Sequence, residues 1–363
     1  LPLPRWRLKR RSYKFCNWHD VVAAEVQAVQ SRVGIAELSG FNRFEITGTD
    51  AAAWINSLTC TKLPKAKGRV GLCYFVKDKG DMDCEATVAQ FSDNHLWYFS
   101  AAAAEYHDMD WLTERLPVES DIQITSLTNS HTVLIIAGPH ARALMDAASP
   151  RTSFAQADFP WMTVQTCIVG HVEVTIMAVS FSGEQAFEVH IPNIQLHAAY
   201  LALTRAGEAF GLTHFGMYAI DSMRMEKGYG HWKGDFITEF NPVEAGISRF
   251  VDLSKDFPGK AGLERQIALG NRRERVLIEI DSKSAPVHAG ETVFDGTTPV
   301  GTITSAAWGY RTKKNLAMAY VEPTHSGAGT DLSVLLFGQR VAATIVESCI
   351  YDSAHAIPRG QSE

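Results

Sequence analysis

The densest chemistry in this chain lies in Ala219-Ile-Asp-Ser-Met-Arg-Met-Glu-Lys-Gly-Tyr-Gly-His-Trp-Lys-Gly-Asp235, followed by Asn-Pro-Val-Glu-Ala-Gly246. Arg224 and Glu226 sit two apart on a helical stretch and so point to different faces. A Gly-rich turn then carries Tyr229, His231 and Trp232, residues able to line a small-molecule pocket. Among the histidines, His231 is the candidate for proton transfer near neutral pH. Familiar nucleotide and hydrolase signatures are missing. Gly228-Tyr-Gly-His-Trp-Lys-Gly234 looks like a dinucleotide loop, but it follows a helix and breaks the G-x-G-x-x-G spacing. No Walker A, H-E-x-x-H or G-x-S-x-G occurs, so no FAD, NAD or ATP site is expected in this chain.

A length of 363 residues, 46% hydrophobic and 20% charged, suits a globular protein of two or three domains. The net charge of −6 gives no positive field to gather phosphates, which argues against nucleic acid or an anionic membrane as partner. The run Arg5-Trp-Arg-Leu-Lys-Arg-Arg11 is the basic exception and reads as a solvated arm. Six cysteines (Cys16, Cys60, Cys73, Cys84, Cys167, Cys349) are scattered without a C-x-x-C pair, as expected of buried thiols in a reducing compartment rather than of a disulfide or metal framework. No long apolar run is present. A cytoplasmic enzyme is therefore expected. The first residue is Leu1 and no leader pattern follows, so the chain reads as trimmed or as part of a longer one.

The positioning elements follow from periodicity. Residues 20–37 repeat valines at about 3.6 residues and read as a helix ending at Gly34. Phe41–Thr47 alternates as a strand, and a helix over 49–58 starts from a Thr49 or Asp50 cap. Strands are expected at 71–76, 84–89 and 94–100, the first two joined by the turn Lys77–Gly80, with a helix over 101–116. Further strands are read at 132–137, 172–177, 178–181 and 186–190, and helices after Gly138 and over 194–210, 216–227 and 259–270. Beyond Arg275, short strands at 276–280, 292–294, 301–305, 316–321 and 342–347 indicate a small barrel or sandwich, which places a boundary near residue 272. Strands and helices alternate without strict βαβ rhythm, which indicates an α+β fold with mixed sheets.

With these pieces in order, the chain resembles the glycine-cleavage T-protein (aminomethyltransferase) superfamily along nearly its whole length. The resemblance rests on Leu38–Gly48, on Gly68-Arg69, on Lys79-Gly80 before a Glu85-Ala-Thr-Val strand, and on Ala137–Arg142. Phe181-Ser-Gly-Glu-Gln-Ala-Phe-Glu188, the motif helix and Thr304–Arg311 complete it. Ser100–Trp111 is closer to the folate-binding halves of dimethylglycine and sarcosine dehydrogenases and to folate-dependent demethylases. The resemblance implies two mixed α/β folate-binding subdomains over 1–272 and a C-terminal β-barrel over 273–363, set around a central channel. It implies tetrahydrofolate as cofactor and a small methylated amine or sulfonium compound as donor, the chain acting alone or beside a flavin-binding partner.

By the same resemblance Glu188 is expected to hold the pterin edge, with Phe181, Tyr229 and Trp232 as walls and Arg224 on the folate or its tail. Glu85 stands where T-proteins place an Asp near the reacting nitrogens, one methylene longer; Asp83 and Asp81 on the approach could substitute, and His231 could move protons. Other members serve as non-catalytic folate-binding modules with a Lys-Gly-Cys signature, where this chain has Lys227-Gly-Tyr. A formaldehyde-capturing half of a flavin-dependent amine dehydrogenase is the other alternative.

Overall fold

The computed structural model describes residues 12–361, so the basic run at 5–11 lies outside the described residues. Helix α1 (Asn17–Ser31) leads into β1 (Gly34–Glu37), β2 (Phe44–Thr47), α2 (Ala51–Leu58), β3 (Arg69–Val76), β4 (Met82–Ser92) and β5 (His95–Phe99). Then come α3 (Glu105–Thr113), β6 (Gln123–Ser126), β7 (His131–Ala137), α4 (Ala141–Ala148), β8 (Val164–Val169), β9 (Val172–Met177) and β10 (Ala186–Pro192). Helix α5 (Leu196–Glu208), β11 (Thr213–His214), α6 (Met217–Glu226) and α7 (Lys260–Leu269) precede the last six strands. These are β12 (Glu274–Ile280), β13 (Thr292–Asp295), β14 (Thr298–Gly309), β15 (Lys314–Val321), β16 (Asp331–Leu336) and β17 (Gln339–Val346).

Alternation assigns each sheet two distinct faces. The first sheet, in the order β3-β4-β5-β2-β6, turns Phe44, Ile46, Cys73, Phe75, Cys84, Ala86, Val88 and Tyr98 toward Trp54, Ile55 and Leu112 of α2 and α3. The second, β11-β1-β7-β10-β9-β8, buries Ile35, Ile136, Phe187, Val189 and Ile176 against Leu144 of α4 and Leu203 of α5. The opposite faces of the two sheets meet along a seam of Val70, Ala89, Trp97 and Phe99 against Val164 and Met177. The last six strands close into a barrel, β12-β15-β14-β13-β16-β17, filled by Ile278, Val293, Ile303, Ala317 and Ile345. The chain thus adopts the expected α+β fold with a C-terminal β-barrel.

Some local expectations need correction. The first helix stops at Ser31, and Gly34–Glu37 is a strand, because Ile35 and Ala36 pack into opposite cores of the second sheet. The side chains of Val29 and Phe215 come so close to Gly34 that a Cβ there would lie 2.6 Å from each. Helix α2 has no side-chain cap: Asp50 lies at φ 59°, and Thr49 bonds Asp121 instead. Residues 178–181 are not a strand, whereas β6, β8 and β16 are strands that the pattern did not disclose.

The motif helix α6 lies between the sheets and the barrel. Asp235, fully buried, accepts hydrogen bonds from Arg224 Nη1 at 2.9 Å, the His231 backbone N–H at 2.9 Å, and Thr304 and Ser305 hydroxyls at 2.6 Å each. Gly228, at φ 68°, opens this turn, where an added Cβ would run into the Ser348 carbonyl oxygen. Removing one partner of a buried ion pair strands the other charge. Asp235→Ala should therefore cost about 3–5 kcal/mol in urea unfolding. A loss below about 1 kcal/mol, the range of exposed pairs, would show that this joint does not hold helix to barrel.

Candidate functional site

The seam defines where a site can form. On β4, Glu85, Thr87 and Ala89 share one face, and Ala89 pairs with Trp97 in the seam. On β10, Glu188 lies directly opposite Met177 of β9, another seam residue, and so shares its face. The two carboxylates therefore stand on the facing surfaces of the two sheets, beyond the apolar contact that joins them. Burial pushes both up to about 7, opposed by the Tyr74 hydroxyl and Arg275 at Glu85 and by Arg43 at Glu188. Yet Glu188 keeps 19% of its side-chain surface, and Glu85 and Arg275 are only partly covered. Groups that lose most of their hydration while remaining touchable by water line a concavity rather than a packed core. A water-poor chamber between the sheets fits both observations.

Local structure fixes each of the candidate side chains. Tyr74 sits across from Glu85 in the β3–β4 ladder and donates its hydroxyl to Glu85 Oε1 at 3.0 Å. Arg275, on the first barrel strand, is held by the Ala245 carbonyl at 2.8 Å and lies over the Phe236 ring at 5.2 Å. Trp232 is buried in the cluster that contains Tyr74 and Phe236. Phe181 and Tyr229 stack with centroids 6.3 Å apart and planes at 17°. Tyr229 also stacks on His355 at 5.7 Å, and its hydroxyl lies 2.9 Å from His355 Nδ1. Burial pushes the Tyr229 hydroxyl up, so it remains protonated.

The structure treats the other candidates differently. The Arg224 guanidinium is bound to Asp235, Asp221 and the Tyr229 carbonyl, so it shapes the turn that carries Tyr229. Glu226 accepts from the Thr312 backbone N–H at 2.7 Å and its hydroxyl at 2.9 Å. His231 is exposed. Asp83 lines a small cavity with Cys84, Tyr98, His107, Asp108 and Trp111, and Asp81 pairs with Arg272 at 3.0 Å. Sequence reasoning missed Arg43, Tyr74, His190, Arg275 and His355. Tyr74 and His190 lie on strands, on the face away from the helices, Arg43 just precedes β2, and Arg275 stands on the outer face of the barrel; alternation alone does not tell such a covered face from solvent.

These burials carry a pH dependence. A carboxyl raised in the fold contributes stability while protonated in both states and loses it as pH rises from its unfolded value through the folded one. Glu85 and Glu188 are raised from 4.5 to about 7, as is Glu184 beside Arg311, so their contribution to stability should fall across that window, while buried neutral histidines such as His190 act in the opposite sense below 6.5. In thermal melts from about pH 4.5 to 8, the stability of the double variant Glu85→Gln/Glu188→Gln relative to wild type should rise with pH, as the contribution of the two carboxyls is lost from wild type only. An unchanged slope in the double variant would place both carboxyls in bulk water.

Comparison with known proteins gives this architecture its family. The family described as GCVT N-terminal domain matches residues 4–255, and the glycine cleavage T-protein C-terminal barrel domain matches 273–352. Rat dimethylglycine dehydrogenase is 28% identical over 95% of this chain. The chain spans only 41% of that relative's length. Symbiobacterium thermophilum aminomethyltransferase is 27% identical over 96% of both chains. The crystal structure of aminomethyltransferase T from Bartonella henselae shares the fold, with a TM-score of 0.80 over 90% of this chain and 88% of that one at 20% identity. Among the described residues no helix is long and apolar enough to cross a membrane. The chain belongs to the glycine cleavage T-protein family.

Proposed function

We propose that this chain transfers a one-carbon unit from a small methylated amine or sulfonium donor to tetrahydrofolate, in the chamber between the two sheets. The observation that carries this reading is the pair Glu85 and Glu188 on facing surfaces, both desolvated to about 7 yet both accessible. The donor set fits a reduced folate. An ionised carboxylate accepts two hydrogen bonds from a guanidine-like edge, the role proposed for Glu188. The stacked Phe181 and Tyr229 offer a flat wall, and Trp232 belongs to the apolar cluster that includes Tyr74. Tetrahydrofolate supplies the nitrogen nucleophiles that take up the carbon.

Glu85 then acts on the proton. A folate nitrogen that took up the carbon would have to lose its proton, and a carboxylate poised near neutrality is suited to receive it. Tyr74 keeps that carboxylate aimed. Holding the partners in line and excluding water supplies the larger part of the acceleration. An onium donor carries its own leaving group and needs no acid, which suits a chamber with few titratable side chains. Arg224 contributes by holding the Tyr229 turn; Asp83 and His231 lie at the periphery of this scheme.

A second reading has its own support: the dimethylglycine dehydrogenases that match are more than twice as long as the matched region. Under it the same chamber captures a formaldehyde-level carbon delivered by a flavin-binding partner.

Calorimetric titration with tetrahydrofolate tests the common ground. Glu188→Gln should weaken binding by roughly tenfold or more, the worth of charge-assisted hydrogen bonds. Glu85→Gln should bind within a few-fold of wild type but transfer carbon about 10²–10⁴-fold more slowly. Absence of heat and of any thermal shift with saturating folate would sink both readings.

A further inference from the structure

Arg43 is an anomaly in the chamber wall. It is 2% exposed, and its Nε and Nη1 have no hydrogen-bond partner. A buried guanidinium left short of acceptors is costly unless it serves a nearby charge. The rings of Trp97 and Phe99 lie 5.8 and 5.4 Å from it and shut out water on one side. On another side its Nη2 lies 3.0 Å from His190 Nδ1. Arginine can only donate, so Nδ1 accepts, and a neutral His190 must carry its proton on Nε2. Burial, with Arg43 and His131 nearby, holds His190 well below the usual histidine range and keeps it neutral. That Nε2, otherwise unpartnered, faces Glu188 Oε2 at 3.5 Å.

The order is therefore cation, neutral ring, carboxylate. We propose that Arg43 is a positioning residue which, through His190, keeps the Glu188 carboxylate charged and turned to the chamber. This rests on the folate reading of the site, where Glu188 must accept rather than donate. The charged and titratable groups around Glu188 are few. Arg43 immediately precedes β2, His190 comes from β10 itself, and His131 from β7. Glu45, next on the inner face of β2, is engaged by His95 at 2.8 Å and by Trp97 Nε1 at 3.3 Å. Arg43 is thus the cation that opposes desolvation at Glu188.

The test reads Glu188 directly, without folate. Infrared spectra of ligand-free wild type, Arg43→Met and Arg43→Lys are recorded across the neutral range, with Glu188→Gln identifying the band of the protonated Glu188 carboxyl. The midpoint of that band should rise by about 1–3 pH units in Arg43→Met and return most of the way in Arg43→Lys. Tetrahydrofolate should then bind Arg43→Met roughly fivefold or more weakly near neutral pH, because less of the competent ionised form is present. Affinity should recover as pH rises through the new midpoint. A merely structural arginine would lower stability without moving the band. If Arg43→Met does not fold, Arg43→Gln, which loses the charge but keeps donors, gives the same comparison. An unmoved band in a folded variant overturns the proposal. A shifted band in a protein that binds no folate leaves the Arg43–Glu188 linkage standing and removes the folate reading instead.

Discussion

The buried pair between Arg224 and Asp235 is the joint on which the rest of the molecule depends. One carboxylate binds the motif helix through Arg224, the following turn through the His231 amide, and the barrel through Thr304 and Ser305. The Tyr320 hydroxyl adds a bond to the Asp235 carbonyl from β15. Charges this deep are stable only when every lone pair finds a donor, and here the donors come from three separate stretches of chain. The sheets, the turn and the barrel are thereby fixed in one arrangement. That arrangement brings Arg275 of the barrel toward Glu85 of the first sheet and lets Tyr229 stack on Phe181.

Desolvation gives the chamber its chemical character. In water a glutamate is fully ionised at neutral pH and a poor proton acceptor. Between two sheets, with aromatic rings on the seam, both Glu85 and Glu188 rise to about 7. The same burial leaves His190 neutral and Tyr229 protonated. Two like carboxylates are then differentiated by their neighbours. Glu85 receives a hydroxyl from Tyr74, and Glu188 has a cation behind a neutral imidazole. A neutral donor and a buried cation favour different tasks, proton exchange for the first and steady acceptance of hydrogen bonds for the second.

Much of the fold was legible because its signals are local. Period-two alternation marks β4 and β10, the Lys77–Gly80 turn joins β3 to β4, and short strands after Arg275 announce the barrel. What stayed hidden was decided at a distance. Gly34–Glu37 continues a helical pattern in sequence and becomes a strand because β7 and β11 pair with it on either side. β8 and β16 hide for a similar reason, since Gln165 and Thr166, or Asp331 and Ser333, read as turn or surface residues until a partner strand is present. The site shows the same division. Glu188 and Glu85 stand in recognisable motifs, whereas Arg43 looks like an ordinary outward-facing strand cation until the second sheet covers it.

The departure at residue 85 illustrates how such a site absorbs change. The resemblance places an aspartate there, and a glutamate carries one more methylene and one more rotatable bond. Left unsupported, that freedom would smear the carboxylate over several positions, and proton transfer tolerates little misplacement. Tyr74, directly across the ladder, fixes it with a 3.0 Å hydrogen bond, and Arg275 biases it from the barrel side. The longer reach is thus matched by a hydroxyl from the neighbouring strand and a charge from the barrel. Tyr74→Phe would keep the ring and remove the hydrogen bond, so the consequence would fall on the orientation of the carboxylate as well as on its acidity. Residue 85 and its two supports form a single unit, and the carboxylate's role cannot be assigned from its own identity apart from theirs.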